Sequence, residues 1–238
     1  MKIEVFLRQS FNTEGKSVSN NIRPHWFKKQ KAFNNFKSTI NLKLANYTIV
    51  YDEFLGPINK TFLSNESKVK IIKAGTEEKS FSKTLEIVES ENFDDNAIIY
   101  FIEDDYIHRE NWCEVLLEAF ILPIHYVSLY DHLDKYLQYN DLKSTIYHTE
   151  SVHWRTVPST CNSYASKMKQ LKEDITIHKH FSSDSDCGVS RDHQKFLYLG
   201  NSGKVLITPI PGYSTHCNEY MSPTIDWSKL SICGESQI

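Results

Sequence analysis

An α/β fold, with a mostly parallel central sheet flanked by helices and a smaller antiparallel element in the C-terminal half, is what the 238-residue sequence predicts. Three observations carry that prediction. Short β-branched and aromatic runs alternate with amphipathic segments of helical length through the first half, an order that implies parallel strands joined by crossover helices. One of these runs, Ile98–Ile102, carries no charge and reads as a strand buried on both faces. It leads directly into Glu103-Asp104-Asp105, placing three acids at a strand's carboxyl end, where open α/β sheets bind their ligands.

The chain opens with a strand over Ile3–Leu7 that ends at Arg8-Gln9-Ser10, followed by a polar loop over 12–21. Pro24 starts a helical segment in which Phe33, Phe36 and Ile40 recur at helical spacing. Tyr47–Tyr51 is a second strand, running into Asp52-Glu53. Lys60–Glu66 reads as a short helix, and Val69–Ile72 as a third strand closed by Lys73-Ala74-Gly75. Ser80–Ser90 is an amphipathic helix with Phe81, Leu85 and Val88 on one face and Ser80 as its N-cap. After the acidic strand, Arg109–Phe120 sets Trp112, Val115, Leu116, Ala119 and Phe120 along one helical face and stops before Pro123.

The second half is less regular. A strand is expected over His125–Leu129, a short helix over Leu133–Leu137, and an antiparallel pair from Lys143–Thr149 and Ser151–Val157. Pro158-Ser159-Thr160 lead into a helix with Tyr164, Met168, Leu171 and Ile175 on one side. Ser182–Gly188 is an acidic loop, and Ser190 caps a helix over Arg191–Leu199 that Gly200 terminates. A strand over Lys204–Thr208 and the Pro209–Gly212 turn lead to Tyr213-Ser214-Thr215-His216. The tail after Asp226 is expected to be loosely held.

Composition narrows the function. Only 8 glycines are present, and neither GxGxxG nor GxxxxGK[ST] occurs, which argues against a glycine-rich phosphate loop. The net charge of −3, without a basic block, argues against nucleic acid as the partner. The five cysteines are scattered without a CxxC pair. They form neither a disulfide framework nor a zinc ribbon, and their odd count favours a reducing, cytoplasmic setting. The N-terminal stretch is too short and too charged for a signal peptide, and no apolar run approaches membrane-spanning length. Sequons at Asn46, Asn59 and Asn65 are read as chance occurrences.

The acids point to a cation. Three adjacent carboxylates repel one another unless a positive charge sits among them, and oxygen ligands suit Mg²⁺ or Mn²⁺ shared with a substrate phosphate. Arg8, at the end of the first strand, either faces a phosphate or pairs with an acid. Asp52, at the end of the second, either contacts a nucleotide's base or ribose or serves as a turn acid.

Three stretches carry a family resemblance: Ile-Glu-Asp-Asp-Tyr at 102–106, His-Trp-Arg-Thr-Val-Pro-Ser-Thr at 153–160 and Pro-Ile-Pro-Gly-Tyr-Ser-Thr-His at 209–216. Together they resemble the small GT-A-like, Rossmann-like glycosyltransferases of bacteria and viruses that carry a Glu-Asp-Asp-Tyr motif. The resemblance implies one GT-A-like domain over 1–238, with a nucleotide-sugar-binding half at 1–122 and an acceptor-binding half at 123–238. It implies that Asp105 and His216 ligate Mn²⁺ or Mg²⁺, with Glu103 or Asp104 assisting. Arg8, Gln9, Asp52 and Gly75 would lie against the nucleotide-sugar donor, and His153, Trp154 and Arg155 against a glycan, lipid-linked or protein hydroxyl acceptor. Asp192 would be the base of an inverting transfer, with Asp184 and Asp186 as alternatives. Two other readings stand beside it. One is a nucleotidyltransferase that forms a nucleotide sugar, for which Asn12-Thr13-Glu14-Gly15-Lys16 is a poor phosphate loop. The other is a nucleotide- or glycan-binding module without turnover.

Overall fold

The computed structural model describes residues 1–11, 22–139, 141–183 and 190–230. In chain order the strands are β1 Ile3–Ser10, β2 Ala45–Asp52, β3 Val69–Ile72, β4 Ile98–Ile102, β5 Tyr106–His108, β6 Tyr126–Val127, β7 Ile146–His148, β8 His153–Thr156, β9 Ala165–Lys167, β10 Leu206–Ile210 and β11 Ser214–His216. The helices are α1 Lys29–Thr39, α2 Glu77–Ser90, α3 Trp112–Ala119, α4 Asp134–Leu137, α5 Met168–Glu173, α6 Ile175–His180, α7 Asp192–Asn201 and α8 Trp227–Leu230. Nine strands form one sheet in the order β3-β2-β1-β4-β9-β6-β10-β8-β7, and β11 pairs with β5 in a small second sheet.

The first four strands are parallel, as the alternation with helices requires. Alternating side chains of the central strands feed two cores, because successive residues of a strand point to opposite faces. Ile3, Val5, Leu7, Ile98, Tyr100 and Ile102 face one layer with Phe33 and Phe36 of α1 and Trp112, Val115 and Leu116 of α3. Phe6, Ile99 and Phe101 face the other with Phe81, Leu85 and Val88 of α2, Met168 and Leu171 of α5, and Phe196 and Leu199 of α7. Each fully buried side chain of this size contributes about 1.5–3 kcal/mol of transfer free energy. The uncharged run at Ile98–Ile102 is therefore central because both of its faces are covered.

Several local expectations are corrected. The helix expected to begin near Tyr164 starts instead as β9, which lies antiparallel between β4 and β6. Tyr164 O accepts from Phe101 N at 2.9 Å, and the Tyr164 ring packs on Phe81 and Phe101. The sheet claims these residues although their apolar spacing is helical, and helical structure begins only at Met168. α2 starts earlier than expected: Thr76 is its N-cap, accepting from Lys79 N at 3.3 Å, and Ser80 lies inside the helix. In place of a helix over Lys60–Glu66 there is one 3₁₀ turn at Ile58–Lys60, followed by turns. α7 runs through Gly200 to Asn201. The stretch after Asp226 contains α8, with Trp227 buried beside Ala32, Ile107 and Cys217 and its indole N–H donating to Ser222 O at 2.7 Å. No helix among the described residues is long and apolar enough to cross a membrane.

Candidate active site

The carboxyl ends of β1, β2 and β4 lie side by side, because the parallel register pairs Ser10 with Asp52 and Leu7 with Ile102. Glu103, Asp104 and Asp105 follow β4 at this edge, and each has acquired a cation. Arg8, itself buried, reaches Glu103 at 2.8 Å and Glu77 at 3.0 Å. Lys29 lies 2.6 Å from Asp104, which also accepts from Ser10 Oγ at 3.1 Å. Arg23 lies 2.6 Å from Asp105. Three acids can occupy one strand end because three basic groups, two of them beyond the first strand, are folded back onto them.

The short sheet brings in His216. Its antiparallel register sets His216 opposite Tyr106, and Cys217 N donates to Asp105 O at 2.8 Å. The imidazole Nε2 then lies 2.8 Å from Asp105 Oδ2, while the Tyr106 ring stacks on it at 5.1 Å and 6°. Burial raises the cost of ionising Asp105, yet the charges of His216 and Arg23 outweigh it and hold the carboxyl far below the usual range. Burial likewise works against a charged His216, but Asp105 outweighs it and raises the imidazole. Glu103 moves the other way. Burial, with Asp105 and Glu77 nearby, pushes it up to about 7 against the pull of Arg8.

The start of α7 completes this rim. Asp192 is half-buried there, with His193 N donating to its Oδ1 at 2.7 Å. Burial and the nearby Glu77 charge raise its carboxyl to about 6, against the pull of Lys195 and His216. Lys195 is fully buried between the rings of Phe81, Tyr164 and Phe196 and donates to Asn162 Oδ1. Burial lowers its ammonium to about 8. Glu77 ties the rim to the strand ends, since it accepts from Arg8, from Asn162 at 3.2 Å and from Ser190 N at 2.7 Å.

The residues read from the sequence therefore divide. Arg8, Glu103, Asp104, Asp105, His216 and Asp192 converge on one edge. Gln9 is buried beside them, its Oε1 without a partner among the described residues. Asp52 directs its carboxylate into its own loops: Oδ1 accepts from Phe54 N at 3.1 Å and Ala74 N at 3.0 Å, and Oδ2 from Gly75 N at 2.9 Å. Gly75, at φ +81° and against the Phe54 ring, is the residue that permits this turn. Trp154 is a core residue, fully buried with its indole N–H on Thr149 Oγ1 at 3.1 Å, so its face is not open to a sugar. Arg155 is buried too, paired to Asp131 at 2.7 Å beneath the Tyr136 ring; of this trio His153 alone is exposed. Asp184 and Asp186 lie outside the described residues. Sequence reasoning missed Arg23, Lys29, Glu77, Asn162 and Lys195. Their roles depend on chain reversals, and the only local signal was the acid at the start of α2, a position that favours carboxylates.

Among the described residues, no group of three or more His, Cys, Asp and Glu side chains converges as a ready-made metal cage. The Asp105–His216 pair nevertheless fits a hard divalent ion that takes its remaining ligands from a substrate phosphate and water. Asp105 Oδ1 is a buried carboxylate oxygen with no hydrogen-bond partner among the described residues. His216 needs one adjustment. Tyr220 N donates to Asn218 Oδ1 at 2.8 Å, which turns the Asn218 amide N–H₂ toward His216 Nδ1 at 3.0 Å and assigns the ring proton to Nε2. Ligation through Nε2 requires the other tautomer.

No family model and no curated protein matches the chain. Solved structures do match in fold. A Bacillus anthracis protein assigned as a glucose-1-phosphate thymidylyltransferase, in complex with sucrose, aligns with 99% of this chain and 96% of its own at a TM-score of 0.51 and 10% identity. The Francisella tularensis 2-C-methyl-D-erythritol 4-phosphate cytidylyltransferase aligns over 98% of both chains at a TM-score of 0.50 and 10% identity. At this identity the likeness is one of fold: the Rossmann-like α/β arrangement of nucleotidyltransferases, extending over nearly the whole chain.

Proposed function

We propose that this protein is a metal-dependent glycosyltransferase that moves a sugar from a nucleoside-diphosphate sugar to an acceptor hydroxyl. The observation that carries the reading is Asp192, a carboxylate raised to about 6 on the same rim as Asp105 and His216. A hydroxyl nucleophile must lose a proton as it attacks, and a base works best when its pKa lies near the operating pH. A carboxyl near 6 is mostly ionised at pH 7 yet more basic than an ordinary Asp. Asp105 and His216 would hold Mn²⁺ or Mg²⁺, which supplies charge neutralisation for the departing diphosphate. Arg8 anchors Glu103 and Glu77, so the acid edge is set before substrate arrives, and Glu77 fixes the entry to α7 through Ser190 N. Asp192 takes the acceptor proton as the new glycosidic bond forms and the bond from anomeric carbon to diphosphate breaks.

The second reading is a nucleotidyltransferase, and the solved neighbours favour it, since both are named for that chemistry. There a sugar phosphate attacks the α-phosphate of a nucleoside triphosphate and pyrophosphate leaves. That nucleophile is already ionised near neutral pH and needs no base, whereas the triphosphate needs a cradle of backbone amides, usually glycine-rich. The segment after β1 contains a single glycine, Gly15. Two incubations separate the readings. Release of nucleoside diphosphate from a panel of nucleotide sugars with Mn²⁺, lost in Asp192→Asn, supports glycosyl transfer. Release of pyrophosphate from a nucleoside triphosphate and a sugar 1-phosphate, retained in Asp192→Asn, overturns it in favour of nucleotidyl transfer.

A further inference from the structure

The acid edge already contains a cation at the atoms a metal would use. Arg23 Nη2 lies 2.6 Å from Asp105 Oδ2, and Nη1 lies 3.2 Å from His216 Nε2 while donating to Cys217 O at 2.9 Å. The Phe27 ring packs 5.2 Å from the guanidinium carbon. Asp105 Oδ2 thus accepts a charge-assisted bond from Arg23 and lies against His216, while Oδ1 has no partner among the described residues. A divalent ion that joins Asp105 to His216 must contact His216 Nε2, which Arg23 Nη1 flanks at 3.2 Å and Asp105 Oδ2 at 2.8 Å, and a metal ion so close to a guanidinium meets strong repulsion. Lys29 does not substitute for Arg23, because it is committed to Asp104 at 2.6 Å and Ser10 Oγ at 2.7 Å.

We propose that Arg23 is an internal counter-cation that a divalent metal displaces from Asp105 and His216, so that the ion and the guanidinium occupy those atoms alternately. The inference rests on the reading of Asp105 and His216 as metal ligands. It adds that the metal-free protein is held together at this edge by its own arginine, which sets the metal affinity. Before the metal binds, Arg23 keeps a buried carboxylate paired. When it binds, that pairing is exchanged rather than created, so the affinity is lower than the ligands alone would give.

The test measures Mn²⁺ binding to the full chain without nucleotide, by electron paramagnetic resonance of the free ion, in the wild type, Arg23→Met and Asp105→Asn. Arg23→Met is expected to bind Mn²⁺ at least about tenfold more tightly than the wild type, since a charge-assisted competitor has been removed. Asp105→Asn is expected to lose the site. Equal or weaker binding by Arg23→Met, with binding still lost in Asp105→Asn, overturns the exchange and leaves the metal site standing. Absence of Mn²⁺ binding in the wild type and Arg23→Met alike removes the metal reading and the exchange with it. A measurement on the native protein covers the case in which Arg23→Met does not fold. On titration with Mg²⁺, the guanidinium ¹⁵N resonances of Arg23 should move from paired toward free positions. Resonances that stay in place while Mg²⁺ binds overturn the proposal.

Discussion

Asp192→Asn is expected to make the protein more stable and less active at the same time. Raising a carboxyl from its ordinary 3.8 to about 6 corresponds to an upper limit of about 3 kcal/mol of folded-state penalty on the ionised form. Asp192 is half-buried, and solvent screening reduces that limit to about 1 kcal/mol. The sign follows from linkage. With its folded pKa above the unfolded one, the folded chain binds more protons between about pH 4 and pH 6, so stability is lost as pH rises through that window. Asparagine carries no such penalty. The variant should match the wild type near pH 4 and exceed it by about 1 kcal/mol at pH 7, about 2–4 °C in Tm for a chain of this size. Over the same comparison the turnover of a hydroxyl acceptor should fall by about 10²–10⁴, as for loss of a general base. Thermal unfolding at pH 4, 5.5 and 7, with a transfer assay at pH 7, checks both halves. A variant destabilised at pH 7, or a stability difference independent of pH, would refute the account of Asp192 as a carboxylate held ionised against its surroundings.

Four further outcomes follow from the same geometry. In the wild type, kcat/KM for transfer should rise with pH through about 6, as Asp192 loses its proton, and then level; a profile flat from pH 5 to 7 removes Asp192 as the base. Glu77→Ala should cost about 2 kcal/mol, because Arg8 loses one of its two carboxylate partners, keeping Glu103 and the backbone carbonyl of residue 77, and Ser190 N and Asn162 lose their acceptor; urea denaturation measures it. Trp154→Phe should lower stability by about 1–3 kcal/mol while leaving the KM for the acceptor unchanged; a raised KM at full stability would show that the ring meets substrate. A nucleoside diphosphate with Mn²⁺ at a hundredfold excess over its dissociation constant should stabilise the wild type by about 2.7 kcal/mol, and that gain should vanish in His216→Ala.

The parallel half of the fold was legible because its information is local. A strand covered on both faces must be continuously apolar, as Ile98–Ile102 is, and its crossover helices must carry an apolar stripe, as Phe81, Leu85 and Val88 do. The same locality placed the acids at a strand end, since chain order alone puts Glu103, Asp104 and Asp105 after β4. β9 was not legible. Ala165–Lys167 has no strand signature of its own, and its conformation follows from a gap between β4 and β6 whose backbone groups need partners. Trp154 and Arg155 show a related limit: their types suit a binding face, but the register of β8 against β10 turns the one into the core and the other onto Asp131.

An α/β sheet, a cluster of three acids at its carboxyl edge and a late histidine presented by a proline- and glycine-bearing turn are all written in local sequence. Which charges meet depends on how the chain folds back on itself. Arg8, Arg23, Lys29, Glu77, Asp192 and His216 lie far apart in the chain, and pairing energy between charges depends on distance and burial, neither of which a sequence records. Folding brings three cations onto three acids at 2.6–2.8 Å; His216 and Arg23 then hold Asp105 ionised against its burial, while burial raises Glu103 and Asp192.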